Sequence, residues 1–187
     1  ITRGLNAKRE SKYIEFKSSF DPKSGRDWCE IIKDIVAISN TGDGVIVFGL
    51  HSNGTTSNYS IESIKSIDPA LITDKIYRYT GHHFSEFQIV ECEKGGSDLV
   101  ALRIYPTEVP IIFENPGTYD IGDGKQKTAF SKGTIYFRHG AKSEPGSRDD
   151  IRKFVEKRLD KIRREWLKRV RTVVQAPPGT SFAVLPD

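Results

Sequence analysis

The chain has 187 residues, of which 36% are hydrophobic and 29% charged, a soluble globular composition with enough apolar mass for one domain and a short appendage. Its longest apolar runs, such as Val45-Ile46-Val47-Phe48, are too short to cross a bilayer. The two cysteines, Cys29 and Cys92, cannot build a disulfide framework or a four-thiolate zinc site, so a reducing, cytoplasmic setting is expected.

The chain opens at Ile1 rather than Met and carries no signal peptide there, which suggests a piece of a longer protein. The formal net charge of +4 is unevenly spread. Arg148 to Arg171 holds 11 Lys/Arg against 5 Asp/Glu, a net of +6, while the rest is net −2. A general affinity for polyanions therefore does not follow, and any phosphate-binding groove must rest on local clusters.

Residues 12–17 alternate as a strand, with Ile14 and Phe16 on one side and Tyr13, Glu15 and Lys17 on the other. Residues 26–39 predict a helix whose apolar face carries Trp28, Ile31, Ile32, Ile35 and Ile38. Asn40 to Gly44 is a turn, and Val45 to Leu50 a strand buried on both faces. Ser52-Asn53-Gly54 ends it with hairpin chemistry. Asp68-Pro69 starts a helix reaching about Thr80, with Asp as cap and Pro at the first helical position. Phe87–Glu93 and Leu99–Tyr105 form a hairpin through Gly95-Gly96, and Val109–Phe113 is a short extended piece. Residues 115–127 read as a polar loop and Thr134–Arg138 as the last strand.

A long C-terminal helix opens with a capping box, Ser147 and Asp150. Ile151, Val155, Leu159, Ile162, Trp166, Val170 and Val173 form its seam, which either packs on the sheet or meets a partner protein or second copy. Three units are expected: a body over 1–147, a basic amphipathic helix over 148–174, and a Pro-containing tail or linker over 175–187. The class is α+β, a mixed β-sheet with flanking helices and a long C-terminal helix.

Three segments carry the candidate chemistry: Glu10-Ser-Lys-Tyr-Ile-Glu15-Phe16-Lys17; Ala37-Ile-Ser-Asn40-Thr41-Gly42-Asp43-Gly44 with the strand to Leu50; and Tyr136-Phe-Arg138-His139-Gly140-Ala-Lys142-Ser143 before a helix. In this order, over about residues 9–160, they resemble the Schlafen-type AlbA-like domain, a nucleic-acid-binding family also found fused to bacterial regulators and defence proteins. The resemblance implies RNA or DNA as partner, contacted through Lys8, Arg9, Lys12, Lys17, Arg138 and Lys142. Such contacts go to phosphates and do not read sequence. It also implies, as an alternative, a metal-dependent endoribonuclease with Glu10 and Glu15 as catalytic carboxylates on Mg²⁺ or Mn²⁺. The family's third acid follows the central strand, where this chain reads Leu50-His51-Ser52, so His51 is the remaining candidate ligand beside Glu10 and Glu15. Asp43 cannot stand in for it, since eight extended residues place it ~26 Å from His51. A third alternative is an inert assembly or sensor domain joined through the C-terminal helix.

Without the resemblance, Glu15 and Lys17 would be an exposed pair worth ~0–1 kcal/mol. Cys29 fills space beside the helix, and His82-His83 lacks the further ligands a metal needs. There is no nucleophile elbow, and Gly42–Gly44 lacks the lysine of a P-loop.

Overall fold

The computed structural model describes residues 1–174 and 179, with side chains through residue 168. The elements, in chain order, begin with α1 (Thr2–Leu5), β1 (Ile14–Lys17), α2 (Gly25–Thr41) and β2 (Gly44–Phe48). There follow α3 (Glu62–Lys65), α4 (Pro69–Thr80), β3 (Phe87–Lys94) and β4 (Ser97–Ile104). Two hairpins, β5 (Gly117–Asp120) with β6 (Gln126–Phe130) and β7 (Tyr136–His139) with β8 (Lys142–Pro145), precede α5 (Arg148–Val174).

The main sheet has the order β1-β2-β4-β3, with β1 parallel to β2 and the other pairs antiparallel. This is an α+β fold with a mixed sheet. All five residues of β2 are buried, because α2 covers one face of the sheet and the N-terminal segment covers the other. Ile46, Phe48, Val100 and Leu102 join the core under α2, while Ile14, Phe16, Val45 and Val47 pack with Ile1 and Leu5. Tyr13 belongs to this second cluster, not to the side of Glu15, because it precedes the regular strand. The first residues lie so close to the sheet that a Cβ on Gly4 would stand 2.7 Å from Val45 Cγ1.

Helix α4 starts as its sequence dictates, with Asp68 accepting from the Ala70 N–H and Pro69 at the first position. The β3–β4 hairpin turns at Gly95 and Gly96, both at positive φ. Helix α2 is buried on more than its apolar face. The sheet takes Ile32, Ile35 and Ile38, and the two C-terminal hairpins cover the side that carries Asp34 and Asn40.

Two expectations need correction. Residues 115–127 are not a loop: Tyr119 and Phe130 point inward from β5 and β6, and the polar residues are their outward partners and turn. The run Val109–Phe113 is the short extended piece expected, with an isolated bridge from Ile112 to Ile135. Thr134–Arg138 is not the last strand, since β8 follows across Gly140, where φ is 63°. Polar strands covered on one side only leave little apolar signal in sequence.

The capping box of α5 forms as expected, Ser147 N–H donating to Asp150 at 2.8 Å and Asp150 N–H to Ser147 Oγ at 3.3 Å. The helix is held to the body by Lys157 Nζ donating to the Thr41 carbonyl at 2.8 Å and by Arg158 pairing with Glu108 at 2.8 Å. Its seam does not pack on the sheet: Val155, Leu159, Ile162 and Trp166 are all exposed. The seam positions Val170 and Val173 have side chains outside the described residues, as does the expected tail over 175–187 apart from residue 179.

Candidate functional site

Glu15 and Lys17 leave β1 on the side facing α2, as the alternation of the strand requires. There they meet Asp34 of α2 and Arg138 of β7. The Glu15 carboxylate accepts from Arg138 Nη2 at 2.7 Å and from Lys17 Nζ at 2.7 Å. Asp34 accepts from Lys17 Nζ at 2.6 Å, from Arg138 Nη1 at 3.3 Å and from Ser143 Oγ at 2.6 Å. Arg138 also donates to Ser143 Oγ at 3.1 Å and to the Ser11 carbonyl at 3.3 Å. Arg138 is 3% exposed, Asp34 4% and Glu15 7%. Two carboxylates and two cations thus form a buried, neutral cluster joining β1, α2 and the last hairpin.

The Asn40-Thr41 pair explains how β7 reaches this position. Asn40 Nδ2 donates to the Ile111 carbonyl at 3.1 Å and the Tyr136 carbonyl at 3.0 Å, and Oδ1 accepts from the Ile111 N–H at 2.8 Å. Thr41 Oγ1 accepts from the Arg138 N–H at 2.8 Å. Gly44 follows where a Cβ would stand 2.6 Å from Ile38 Cγ2 and 2.8 Å from the Tyr13 carbonyl. The motif is therefore a splint that ties the end of α2 to its neighbours.

Burial and the like charge of Asp34 push the Glu15 carboxyl above its ordinary value, and Lys17 and Arg138 pull against that shift. Burial pulls the Lys17 ammonium down, but Asp34 and Glu15 outweigh it and the net shift is upward. Lys17 thus stays charged, with its ammonium bridging the two acids.

The other sequence candidates are spread more widely. Glu10 is half-buried and accepts from the Phe16 N–H at 3.4 Å, along the outer edge of β1. His51 is exposed in the turn after β2, where its N–H donates to the Thr55 carbonyl. Among the described residues no three His, Cys, Asp or Glu side chains group so as to hold a metal. Glu10, Glu15 and His51 therefore do not form one ligand set, and the donor set does not fit Mg²⁺ or Mn²⁺. The oxygens of Glu15 are already engaged by two cations, which compete directly with a metal ion.

Of the expected phosphate contacts, Lys17 and Arg138 are taken up by Glu15 and Asp34. Lys8, Arg9, Lys12 and Lys142 are exposed and have no ion pair among the described residues. Lys8 lies beside the His51 turn, since a Cβ on Gly54 would stand 3.3 Å from its Cα. Lys142 sits in the β7–β8 turn, and Lys12 lies over the Tyr13 ring at 4.8 Å.

A groove of about 460 Å³ runs between the end of α2, β7 and the first turns of α5, with Lys12, His139, Lys153 and Lys157 among its walls. Its acids are engaged: Asp150 by Ser147 and His139, Glu156 by Arg152. Around the corner of α5 a second hollow of about 280 Å³ carries Arg158, Lys161 and Arg164. Sequence reasoning missed Asp34, Asn40, Ser143, Lys153 and Lys157 as site residues. The charge excess after Arg148 pointed to the last two, whereas Asp34, on a helix that also carries Asp27, Glu30 and Lys33, left no signal of its own.

A family model described as Schlafen, AlbA_2 matches residues 10–147. The chain belongs to the Schlafen AlbA_2 family. Membership supports a nucleic-acid-related module, and the match runs from Glu10 to the cap of α5, leaving the basic helix beyond it. No curated protein matches the chain. Among solved structures, the DIP2311 protein from Corynebacterium diphtheriae is similar at 14% identity and a TM-score of 0.45. That similarity covers 77% of this chain and 24% of the other, so this chain spans about a quarter of its length. Among the described residues, no helix of this Schlafen AlbA_2 domain is long and apolar enough to cross a membrane.

Proposed function

We propose that this Schlafen AlbA_2 domain binds RNA or DNA through backbone phosphates, in the groove between the end of α2, β7 and α5. Lys12, Lys153 and Lys157 line it, Lys142 borders it, and Lys8 and Arg9 extend the track along the N-terminal segment. The observation that carries this reading is the division of charge. Buried cations are neutralised by Glu15 and Asp34, whereas Lys12 and Lys153 face the groove with no ion pair among the described residues. Lysine point charges of this kind suit phosphate without selecting bases. The buried cluster then acts as a scaffold that fixes the groove wall, and the reading does not include metal-dependent cleavage.

The test is fluorescence anisotropy with single-stranded and duplex RNA and DNA across a salt series. Affinity falls as salt rises, with a log–log slope of about 0.9 per duplex-DNA phosphate neutralised. Lys12→Ala, Lys153→Ala and Lys157→Ala together reduce that slope by about 2–3. An affinity independent of salt, or a slope unchanged in the triple variant, refutes the proposal.

A further inference from the structure

The exposed face of α5 has a pattern that its own body leaves unused. Val155, Leu159, Ile162 and Trp166 are 48%, 45%, 47% and 68% exposed, an apolar stripe unusual for a helix facing only water. Their spacing is four, three and four residues, the alternation of a coiled-coil seam, with Val155 and Ile162 at d and Leu159 and Trp166 at a. At 3.6 residues per turn the stripe is turned by about 100° from the face of Phe154, Arg158 and Lys161 that meets the body. Lys153 and Lys157, which line the phosphate groove, lie roughly opposite the stripe. The seam is therefore accessible without touching the groove.

Flanking charges identify the occupant. In this register Glu156 and Arg163 fall at e, and Arg158 and Glu165 at g. Parallel pairing of two such helices would set Arg158 of one against Arg163 of the other, a like-charge contact. Antiparallel pairing sets e against e and g against g. Glu156 then faces Arg163 of the second copy, a contact that occurs twice by symmetry, while Arg158 keeps its pair with Glu108 of its own body. The apolar residues agree, since Val155 meets Trp166 and Leu159 meets Ile162. The two-fold axis passes between Asp160 and Lys161, at the middle of the 27-residue helix, so the pair overlaps along its length. Existing partners are exchangeable, because Arg152–Glu156 and Arg163–Asp160 are exposed pairs at 3.3 Å.

We propose that the chain forms a two-fold symmetric homodimer through antiparallel pairing of α5. Dimerisation leaves one basic groove open on each copy, giving two phosphate-binding tracks on one particle. The pairing does not depend on the groove's function.

The test is sedimentation equilibrium on the full 187-residue chain over a dilution series. A reversible dimer is expected, and a monomer at every concentration, or a higher oligomer, overturns the proposal. Leu159→Glu abolishes the dimer while circular dichroism and thermal unfolding show an intact body. A Leu159→Glu chain that stays dimeric places the interface elsewhere and also overturns it. Direction is read from charge: Arg163→Glu, facing Glu156, weakens the dimer about tenfold, as expected when two symmetry-related exposed pairs turn repulsive. Adding Glu156→Arg to that variant restores it. Tighter association of Arg163→Glu alone indicates parallel pairing and refutes the antiparallel assignment.

Discussion

Replacing Arg138 by Met keeps much of the side-chain volume but removes the charge that neutralises two buried acids. Four contacts go with it: to Glu15, to Asp34, to Ser143 and to the Ser11 carbonyl. Lys17 alone must then balance Glu15 and Asp34, leaving one unit of buried negative charge or forcing a proton onto a carboxyl. Breaking a buried ion pair from one side costs about 3–5 kcal/mol. For a domain of this size about 2–4 °C of melting temperature goes with each kcal/mol, so Tm falls by about 6–20 °C. Urea unfolding followed by tryptophan fluorescence gives the free energy. Combining Arg138→Met with Glu15→Gln costs less than the sum of the single changes, because the second removes the orphaned charge. Groove affinity for nucleic acid, measured well below the melting temperature, stays within a few-fold. If Arg138→Met unfolds within ~1 kcal/mol of the unaltered chain, yet loses nucleic acid binding, the arginine is a ligand contact and the scaffold argument is wrong.

Asn40→Ala removes three buried hydrogen bonds and strands the Ile111 amide and two carbonyls; a loss of about 3 kcal/mol is expected, with faster hydrogen exchange at Ile111. Asn40→Asp keeps the acceptor for Ile111 N–H and loses both donors, so exchange there changes less than chemical denaturation does. The clasp between the last hairpin and α5 depends on pH through His139, which lies 3.1 Å from Glu144 and 3.0 Å from Asp150. The bond to Asp150, with help from Glu144, raises His139 above its ordinary 6.5, so its contribution is complete below that value and fades as pH rises through the folded value. Burial opposes ionisation of Asp150, but bonds from Ser147 and His139 outweigh it and bring the group down to about 2, so its contribution holds above its ordinary 3.8 and fades as pH falls toward 2. Protection of the amides in the first turn of α5, measured as the ratio of intrinsic to observed exchange rate, is therefore greatest between pH 3.8 and 6.5, and His139→Gln removes the loss on the alkaline side.

Local chemistry determined much of this protein. The alternation over 14–17, the Asp68-Pro69 start of α4, the Gly95-Gly96 hairpin and the Ser147–Asp150 capping box each form as their residues require. Three motifs in order indicated the family, and the match over residues 10–147 shows it. The contact of Glu15 with Arg138 is a finding of the structure. A carboxylate and a guanidinium 123 positions apart carry no mark of whether they will be solvated or dry. That was decided when the two polar hairpins closed over the second side of α2, burying Asp34 and Asn40 away from its apolar face. Burial turned Lys17 and Arg138 from candidate ligands into counterions, because desolvated charges must be neutralised where they lie. The same tertiary packing left the seam of α5 uncovered, since the helix is fastened to the body by the neighbouring face of Phe154 and Arg158.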